Sequence, residues 1–440
     1  MAFKIGLLGL GTVGAGTAEI LLNPELRHPL VQEIEIGKVG VRSLDKPRPV
    51  ALPADLLTTD LEAIVTDPDI DIVVEVIGGL EPARSLILKA IAHGKHVVTA
   101  NKAVIARYSD EIFDAASAAG VYVMIEAAVA GGIPVIQPLK QSLSVNRIHR
   151  VMGIINGTTN YILTRMAREG ADFDDVLADA QRLGYAEADP TADVDGLDAA
   201  DKIAILASLA FGGRIKLPEV YCEGIRSISA ADIAYADRLG FVIKLLATAL
   251  REPSAPDDAT DHLQVRVHPT LLPKSHPLAS VNDVYNAILF EGDPVGQVML
   301  FGRGAGSGPT ASAVVSDIQN IVAILKTSGE TSPHSAAELH PLLACIHQHY
   351  CTISPMDEVV SRFYARFLTR DMPGVIGRLG TCFGDHEVSL ESVVQIGFQD
   401  DLAEIVVVTH DVREGNFRKA LEEIHGFEGV AEIPSVLRVL

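Results

Sequence analysis

Over roughly the first 135 residues, short apolar runs alternate with helical patterns, the arrangement that a parallel sheet with crossover helices requires. KIGLLGL (4–10), EIEIGKVGV (33–41), DIVVEVIG (71–78), KHVVTA (95–100) and VYVMIEAAV (121–129) read as five strands. TVGAGTAEILL (12–22), EPARSLILKAIAHG (81–94) and SDEIFDAASAAG (109–120) read as helices, the last two ending on Gly94 and Gly120, where a C-terminal cap belongs. From 136 to 304 the pattern shifts to longer helices and less regular strands. A glycine-dense stretch, GRGAGSGPTASAVVSDIQNIVAIL, then leads into a helix starting near Thr310. A polar linker is expected over 331–357. Residues 358–440 read as a small β-α-β unit built from RFYARFLTR, PGVIGRLGTCFGDH, VSLESVVQIG, AEIVVVTHD, NFRKALEEI and PSVLRVL.

Length and composition set the class. At 440 residues the chain calls for two or three domains, and 48% hydrophobic with 21% charged residues describes a folded globular protein. The formal charge of −21 repels polyanions, which argues against nucleic acid as a partner; an anionic cofactor needs backbone N–H groups and local cations to overcome that field. No charge-free apolar stretch is long enough to span a bilayer, and MAFKIGLLGLG has no signal-peptide cleavage pattern, so the expectation is a cytoplasmic protein with no membrane partner. Cys222, Cys345, Cys351 and Cys382 form no CxxC pair and read as reduced structural thiols.

Residues 9–14, GLGTVG, sit between an apolar strand and a helical pattern. In that context Gly9 permits the tight turn, Gly11 lets backbone approach a pyrophosphate, and Gly14 lets the helix pack on the strand. The following helix offers its unpaired N–H groups to phosphate. This gives an α/β, Rossmann-type nucleotide-binding domain over 1–135, completed by about 305–330. At the end of the second strand, where an acidic residue would select NAD, stands Arg42, with Lys46 and Arg48 behind it. These favour NADP(H) and leave NAD open, since loop charges are also ordinary solvated ones.

Lys102, in VVTANK, follows a strand at the ligand-binding edge of such a sheet. In RLGYAEADPTADVDGLDAADKIAIL, Asp193 and Asp195 are accounted for as helix N-terminal carboxylates. Asp198 and Lys202 are four residues apart on one helical face. They suit either a surface ion pair or a lysine held by a carboxylate as proton donor to a developing alkoxide. GIINGTTNYIL (153–163) offers Gly157, Thr158 and their polar neighbours as helix-capping groups or as donors lining a pocket.

GLGTVG, VVTANK, EAAVAGGIPVI, GIINGTTNYIL, GYAEADPTADVDGLDAADKIAIL and GRGAGSGPTASAVVSDI, in this order, resemble the homoserine dehydrogenase family over residues 1 to about 325. The tail is similar, more loosely, to an ACT domain through DMPGVIGRLG. The resemblance implies an α+β substrate and dimerisation domain over 136–304 and a βαββαβ regulatory domain over 358–440. It also implies NAD(P)-dependent interconversion of L-homoserine and L-aspartate 4-semialdehyde, on the route to threonine, methionine and isoleucine. By motif, Lys202 would be the general acid, Lys102 a second active-site lysine near cofactor and substrate, and Glu187 and Asp198 ligands of the substrate ammonium, with Gly157 and Thr158 beside them. Cofactor contacts would come from Thr12, Val13, Thr99, Gly184, Gly304 and Gly306, and a sodium site from Glu126 with the carbonyls of Val129, Gly131 and Ile133. Asp371 and Gly374 would face an amino-acid effector, threonine being the family's usual one. A homodimer or homotetramer, and a monofunctional enzyme with no preceding kinase segment, complete the expectation. The alternatives are a related semialdehyde or amino-acid dehydrogenase, and a nucleotide-sensing regulator that has lost catalysis.

Overall fold

The computed structural model describes residues 2–252, 262–327, 339–345, 347 and 349–440. It divides into two units, residues 1–151, 201–218 and 285–351 in one and residues 152–200, 219–284 and 352–440 in the other.

The first unit opens with strands β1 (Phe3–Leu8), β2 (Ile34–Gly40), β3 (Leu57–Thr58), β4 (Ile72–Glu75), β5 (His96–Thr99) and β6 (Val123–Met124), interleaved with helices α1 (Thr12–Leu22), α2 (Leu61–Thr66), α3 (Ala83–Ala92) and α4 (Lys102–Ala119). The sheet is parallel in the order β3-β2-β1-β4-β5-β6, so the strand order reverses between β1 and β4. Apolar residues of the central strands, Ile5, Leu7, Ile72, Val74 and Val98, are buried against Ala18 and Leu21 of α1. The helix Ser307–Thr327 closes the same core with Val314, Ile318, Ile321 and Val322.

Three local readings need correction. The helix expected over 109–120 begins at Lys102, because Asn101 caps it by accepting from the Val104 N–H at 3.3 Å; the backbone bends at Tyr108 (φ −130°) and ends on left-handed Gly120. The fifth predicted strand, 121–129, shrinks to β6, since residues 126–128 turn into a 3-10 helix. The helix placed near Thr310 starts at Ser307. Of the expected linker, residues 331–338, 346 and 348 lie outside the described residues.

From α5 (Ile136–Lys140) the chain runs through β7 (Arg147–Ile154), α6 (Gly157–Glu169), α7 (Phe173–Arg182), α8 (Thr191–Val194) and α9 (Leu197–Phe211). Then come β8 (Tyr221–Cys222), α10 (Ala230–Arg238), β9 (Phe241–Arg251) and β10 (His262–Pro273), the last two an antiparallel pair. The hairpin β11 (Tyr285–Asp293) and β12 (Gly296–Arg303) leads to α11, the Ser307–Thr327 helix. After β13 (Thr352–Ile353), the tail folds as β14 (Val360–Arg370), α12 (Val375–Asp385), β15 (Leu390–Gln399), β16 (Leu402–Thr409), β17 (Val412–Arg413), α13 (Glu414–His425) and β18 (Val430–Val439). This is the anticipated βαββαβ order with a two-residue strand added. Its sheet, β18-β14-β16-β15, closes over stacked Phe363 and Phe417 (centroids 4.2 Å apart) with Phe367 and Phe383. Strand β18 also pairs in parallel with β10 through Thr270–Arg438 and Leu271–Val439, so the tail continues the sheet of its own unit.

One buried residue of the first sheet sets an acid-side stability limit. The His96 Nδ1 accepts the Tyr122 N–H at 3.0 Å, its ring stacks on Tyr122, and burial pushes its pKa down to about 4. Below about pH 6.5 the unfolded chain takes up a proton that the folded chain refuses until about pH 4. Stability is therefore lost as pH falls through this window, by on the order of 3 kcal/mol at its lower end. Urea denaturation across the window should show a shallower pH slope for His96→Gln than for the wild type; equal slopes would mean that the ring is reached by water.

Candidate active site

The register levels Leu8 with Gly40 of β2 and with Glu75 of β4, so the turn after β1 opens at the switch point of the sheet, where ligands of such folds bind. Each glycine of GLGTVG has its own reason. Gly9 sits at φ +106° and donates its N–H to the Gly40 carbonyl at 3.0 Å. A Cβ on Gly14 would lie 2.1 Å from the Gly9 carbonyl oxygen, whereas one on Gly11 would meet nothing within 4 Å. The space over Gly11 faces the first turn of α1, which no side chain caps, so its N–H groups await an acceptor. Thr12 is exposed and Val13 half-buried at that rim.

A second loop of the same unit is fixed onto this turn. The Ser307 hydroxyl donates to the Thr12 carbonyl at 2.8 Å, and Gly306 takes φ +124°. Asn286 occupies the place where Gly304 would carry a side chain, and a Cβ on Gly131 would lie 2.4 Å from the Gly304 carbonyl oxygen. Gly304 and Gly306 thus lie just ahead of Ser307, the residue that ties this loop to the turn. Past the end of β2, Arg42 and Lys46 are exposed.

At the ends of β4 and β5 sits a buried polar cluster that pattern reading passed over. The Thr99 hydroxyl donates to Glu75 at 2.6 Å and accepts the Asn101 N–H at 3.0 Å, while the Glu75 carboxylate also accepts from Ile77 and Gly78. Burial raises the Glu75 pKa, opposed by these hydrogen bonds. Asn101 donates to the Gly79 carbonyl at 2.7 Å, and Lys102 is therefore not a loop residue but the first residue of α4. The visible signal for Glu75 was a single acidic residue inside the apolar run DIVVEVIG.

Helix α9 carries Asp198, which is buried, and Lys202 one turn later. In the first unit Arg107 of α4 pairs with Asp201 of α9 at 3.0 Å, which ties the helix beginning at Lys102 to the stretch holding Lys202. In the second unit, Asn156 caps α6 by accepting the Thr159 N–H at 2.8 Å and donates through Nδ2 to Asp193 at 2.7 Å and to Asp198 at 2.9 Å. Asp193 lies in the first turn of α8, as expected, and also accepts from Asn156. Asp195 is the residue that departs from the helix-terminal reading: it follows the last residue of α8 and pairs with Arg226 at 2.5 Å. Asn156 itself was legible only as a cap. Gly157 and Thr158 form the first turn of α6, with the Thr158 hydroxyl donated to the Tyr185 carbonyl at 2.8 Å. Gly184 (φ +77°) and Glu187 lie exposed in the turn after α7.

Glu126 is buried, and its carboxylate accepts the N–H groups of Val135, Ile136 and Gln137 at 2.5, 2.8 and 2.7 Å, capping the start of α5. Its own N–H goes to Asp317 of α11 at 2.8 Å; burial and the nearby Glu126 charge push the Asp317 carboxyl up to about 8. Three N–H groups therefore take up most of the lone pairs of the Glu126 carboxylate, one site remaining on Oε2. In the tail, the turn from β14 to α12 leaves Asp371 exposed and puts Gly374 at φ +90°, with open space on the side where a Cβ would stand.

A parallel sheet whose strand order reverses beside a glycine turn and an uncapped helix start puts this chain in the Rossmann class of nucleotide-binding folds. The NAD-binding domain of homoserine dehydrogenase matches residues 9–126, the homoserine dehydrogenase family matches 134–319, and the ACT domain matches 363–429. The chain belongs to the homoserine dehydrogenase family. It is 70% identical over 440 residues to the homoserine dehydrogenase of Synechocystis sp., covering all of both chains. The crystal structure of a homoserine dehydrogenase from Thiobacillus denitrificans is similar at a TM-score of 0.88 and 43% identity, over 100% of this chain and 98% of that one. A hyperthermophilic archaeal homoserine dehydrogenase in complex with NADPH matches at a TM-score of 0.60 and 28% identity, over 74% of this chain and 98% of that one. No described helix is long and apolar enough to cross a membrane.

Proposed function

We propose that the protein interconverts L-homoserine and L-aspartate 4-semialdehyde with NADP(H), on the biosynthetic route to threonine, methionine and isoleucine. The observation that carries this reading is the Asp198–Lys202 pair on α9, a carboxylate held in place by Asn156 one turn before an ammonium. The nucleotide turn fits the cofactor because the space over Gly11 is open and faces N–H donors. When bound, the nicotinamide supplies the hydride for reduction and accepts it in oxidation.

The chain does the rest. Lys202 gives its proton to the aldehyde oxygen as negative charge develops there, and takes the hydroxyl proton back in the reverse direction. Glu187 and Asp198 bind the substrate ammonium. The first-turn N–H groups of Gly157 and Thr158 suit its carboxylate, because they have no partner within the helix. Lys102 holds the second anionic contact near the cofactor. Arg42 and Lys46, at the edge of the adenosine side, favour the 2′-phosphate of NADP over NAD. Gly184 is a further cofactor contact in this proposal. A sodium ion would be held by Glu126 with the main-chain carbonyls of Val129, Gly131 and Ile133, and assembly as a homodimer or homotetramer is part of the proposal.

The tail acts as an amino-acid sensor, with Asp371 and Gly374 at the effector turn and threonine as ligand. In one assay, purified protein should consume NADPH faster than NADH on addition of L-aspartate 4-semialdehyde, and threonine should slow it. Consumption unaffected by threonine, in rate and in thermal stability, would remove the effector from the proposal.

A further inference from the structure

We propose that Asn156 is a positioning residue for the reaction proposed above, and rests on that reading: one buried amide sets the Asp198 carboxylate for Lys202 and fixes the first turn of α6 for the substrate. Asn156 is 5% exposed and stands in the extended conformation (φ −122°, ψ 115°) just ahead of α6. A side-chain amide has two N–H donors and one carbonyl acceptor, and this one uses both kinds. Its Oδ1 accepts from the Thr159 N–H at 2.8 Å and from the Thr159 hydroxyl at 3.0 Å; its Nδ2 donates to Asp193 and to Asp198. A neutral donor is needed here because both of its acceptors are carboxylates, and an anion in its place would put three like charges together.

The far anchor is itself fixed. Asp193 lies in α8, whose Val194 carbonyl accepts the Ile225 N–H at 2.8 Å, and the close approach of Gly224 to that carbonyl admits no side chain. Arg226 holds the neighbouring Asp195. A fixed Asp193 orients the amide, and the amide orients one oxygen of Asp198, which fixes the carboxylate plane one turn before Lys202. The same amide, through Thr159, holds the turn that begins with Gly157 and Thr158. Two groups of the site, the carboxylate beside the proton donor and the amides beside the substrate, therefore move together or not at all.

The test compares wild type, Asn156→Asp, Asn156→Ser and the double variant Asn156→Asp/Asp193→Asn in homoserine oxidation, with the NADP dissociation constant, Tm and the pH profile of kcat for each. Wild type that fails to oxidise homoserine overturns the functional reading, and the positioning role with it, before any variant is compared. With active wild type, both single variants should lose kcat about 100-fold with NADP affinity kept. Asp198, deprived of a donor that favours its ionised form, should move the acid limb of the profile to higher pH. The double variant restores an amide–carboxylate pair between 156 and 193 but removes the amide donor from Asp198. It should recover Tm and not kcat. Single variants within about twofold of wild-type kcat, or a double variant that recovers kcat together with Tm, would overturn the proposal.

Discussion

Lys202→Ala should lower kcat for homoserine oxidation by about 10³-fold while NADP affinity stays at the wild-type value. The loss corresponds to about 4 kcal/mol of transition-state stabilisation. It falls on kcat because the alkoxide charge that Lys202 neutralises exists only as the hydride moves. The helix should survive the change, since α9 is held by Arg107–Asp201 and by Asn156–Asp198, neither of which uses the lysine ammonium. Nucleotide binding should survive as well, because the Gly9–Gly14 turn is built from β1, α1 and the Gly304–Ser307 loop. Lys202→Arg separates charge from proton transfer. A guanidinium keeps the positive charge but gives up no proton at accessible pH, so this variant should be nearly as slow as the alanine one. Steady-state kinetics with a direct measurement of NADP binding decides the matter. Lost nucleotide affinity with kcat preserved would remove Lys202 from the proton-transfer step.

Arg366→Ala should destabilise the protein by about 3–5 kcal/mol. Arg366 of β14 donates to Asp232 of α10 and to Glu404 of β16, each at 2.8 Å, and all three side chains are at most 5% exposed. Asp232 also completes the capping box of α10 with Ser229, and Glu404 accepts from the Tyr235 hydroxyl, whose pKa rises to about 12 through burial and the Glu404 charge. Removing the guanidinium leaves two carboxylates in a dry setting with their hydrogen bonds half made, which costs more than the pairing itself contributes. A triple variant, Arg366→Met/Asp232→Asn/Glu404→Gln, removes the charges together and should recover most of the loss. Urea denaturation measures both. A loss below about 1 kcal/mol for Arg366→Ala would place the cluster among solvated pairs.

Much of this was legible along the chain because its causes are local. GLGTVG specifies a turn, an opening and a close approach within six residues, and the geometry at Gly9, Gly11 and Gly14 follows from backbone sterics alone. The ACT-type tail was readable for a similar reason: each of its strands and helices announces its own period, and Phe363, Phe367, Phe383 and Phe417 fall on the inward faces. What stayed hidden depends on partners distant in sequence. Asp193 is the first-turn carboxylate of α8 that its place in the chain suggests, but nothing near it shows that Asn156, 37 residues earlier, donates to it. The hydrogen bonds that Glu126 accepts from the start of α5, nine to eleven residues on, were not visible along the chain either. Arg366 lies in a strand whose alternation predicts only that it is inside or outside, and the carboxylates that make its burial tolerable come from residues 232 and 404. The start of α4 was misread for a smaller reason: Val104 and Ile105 follow the capping Asn101 at helical spacing, but the helix bends at Tyr108, and only the stretch after that bend was read.

The central claim, that this chain is a dehydrogenase acting on homoserine, is tested most directly by steady-state oxidation of L-homoserine with NADP and NAD in parallel. The account predicts sustained formation of reduced cofactor, faster or at lower cofactor concentration with NADP. A protein that binds NADP yet forms no reduced cofactor from homoserine with either nucleotide would contradict it, leaving the nucleotide fold in place without the substrate assigned to it.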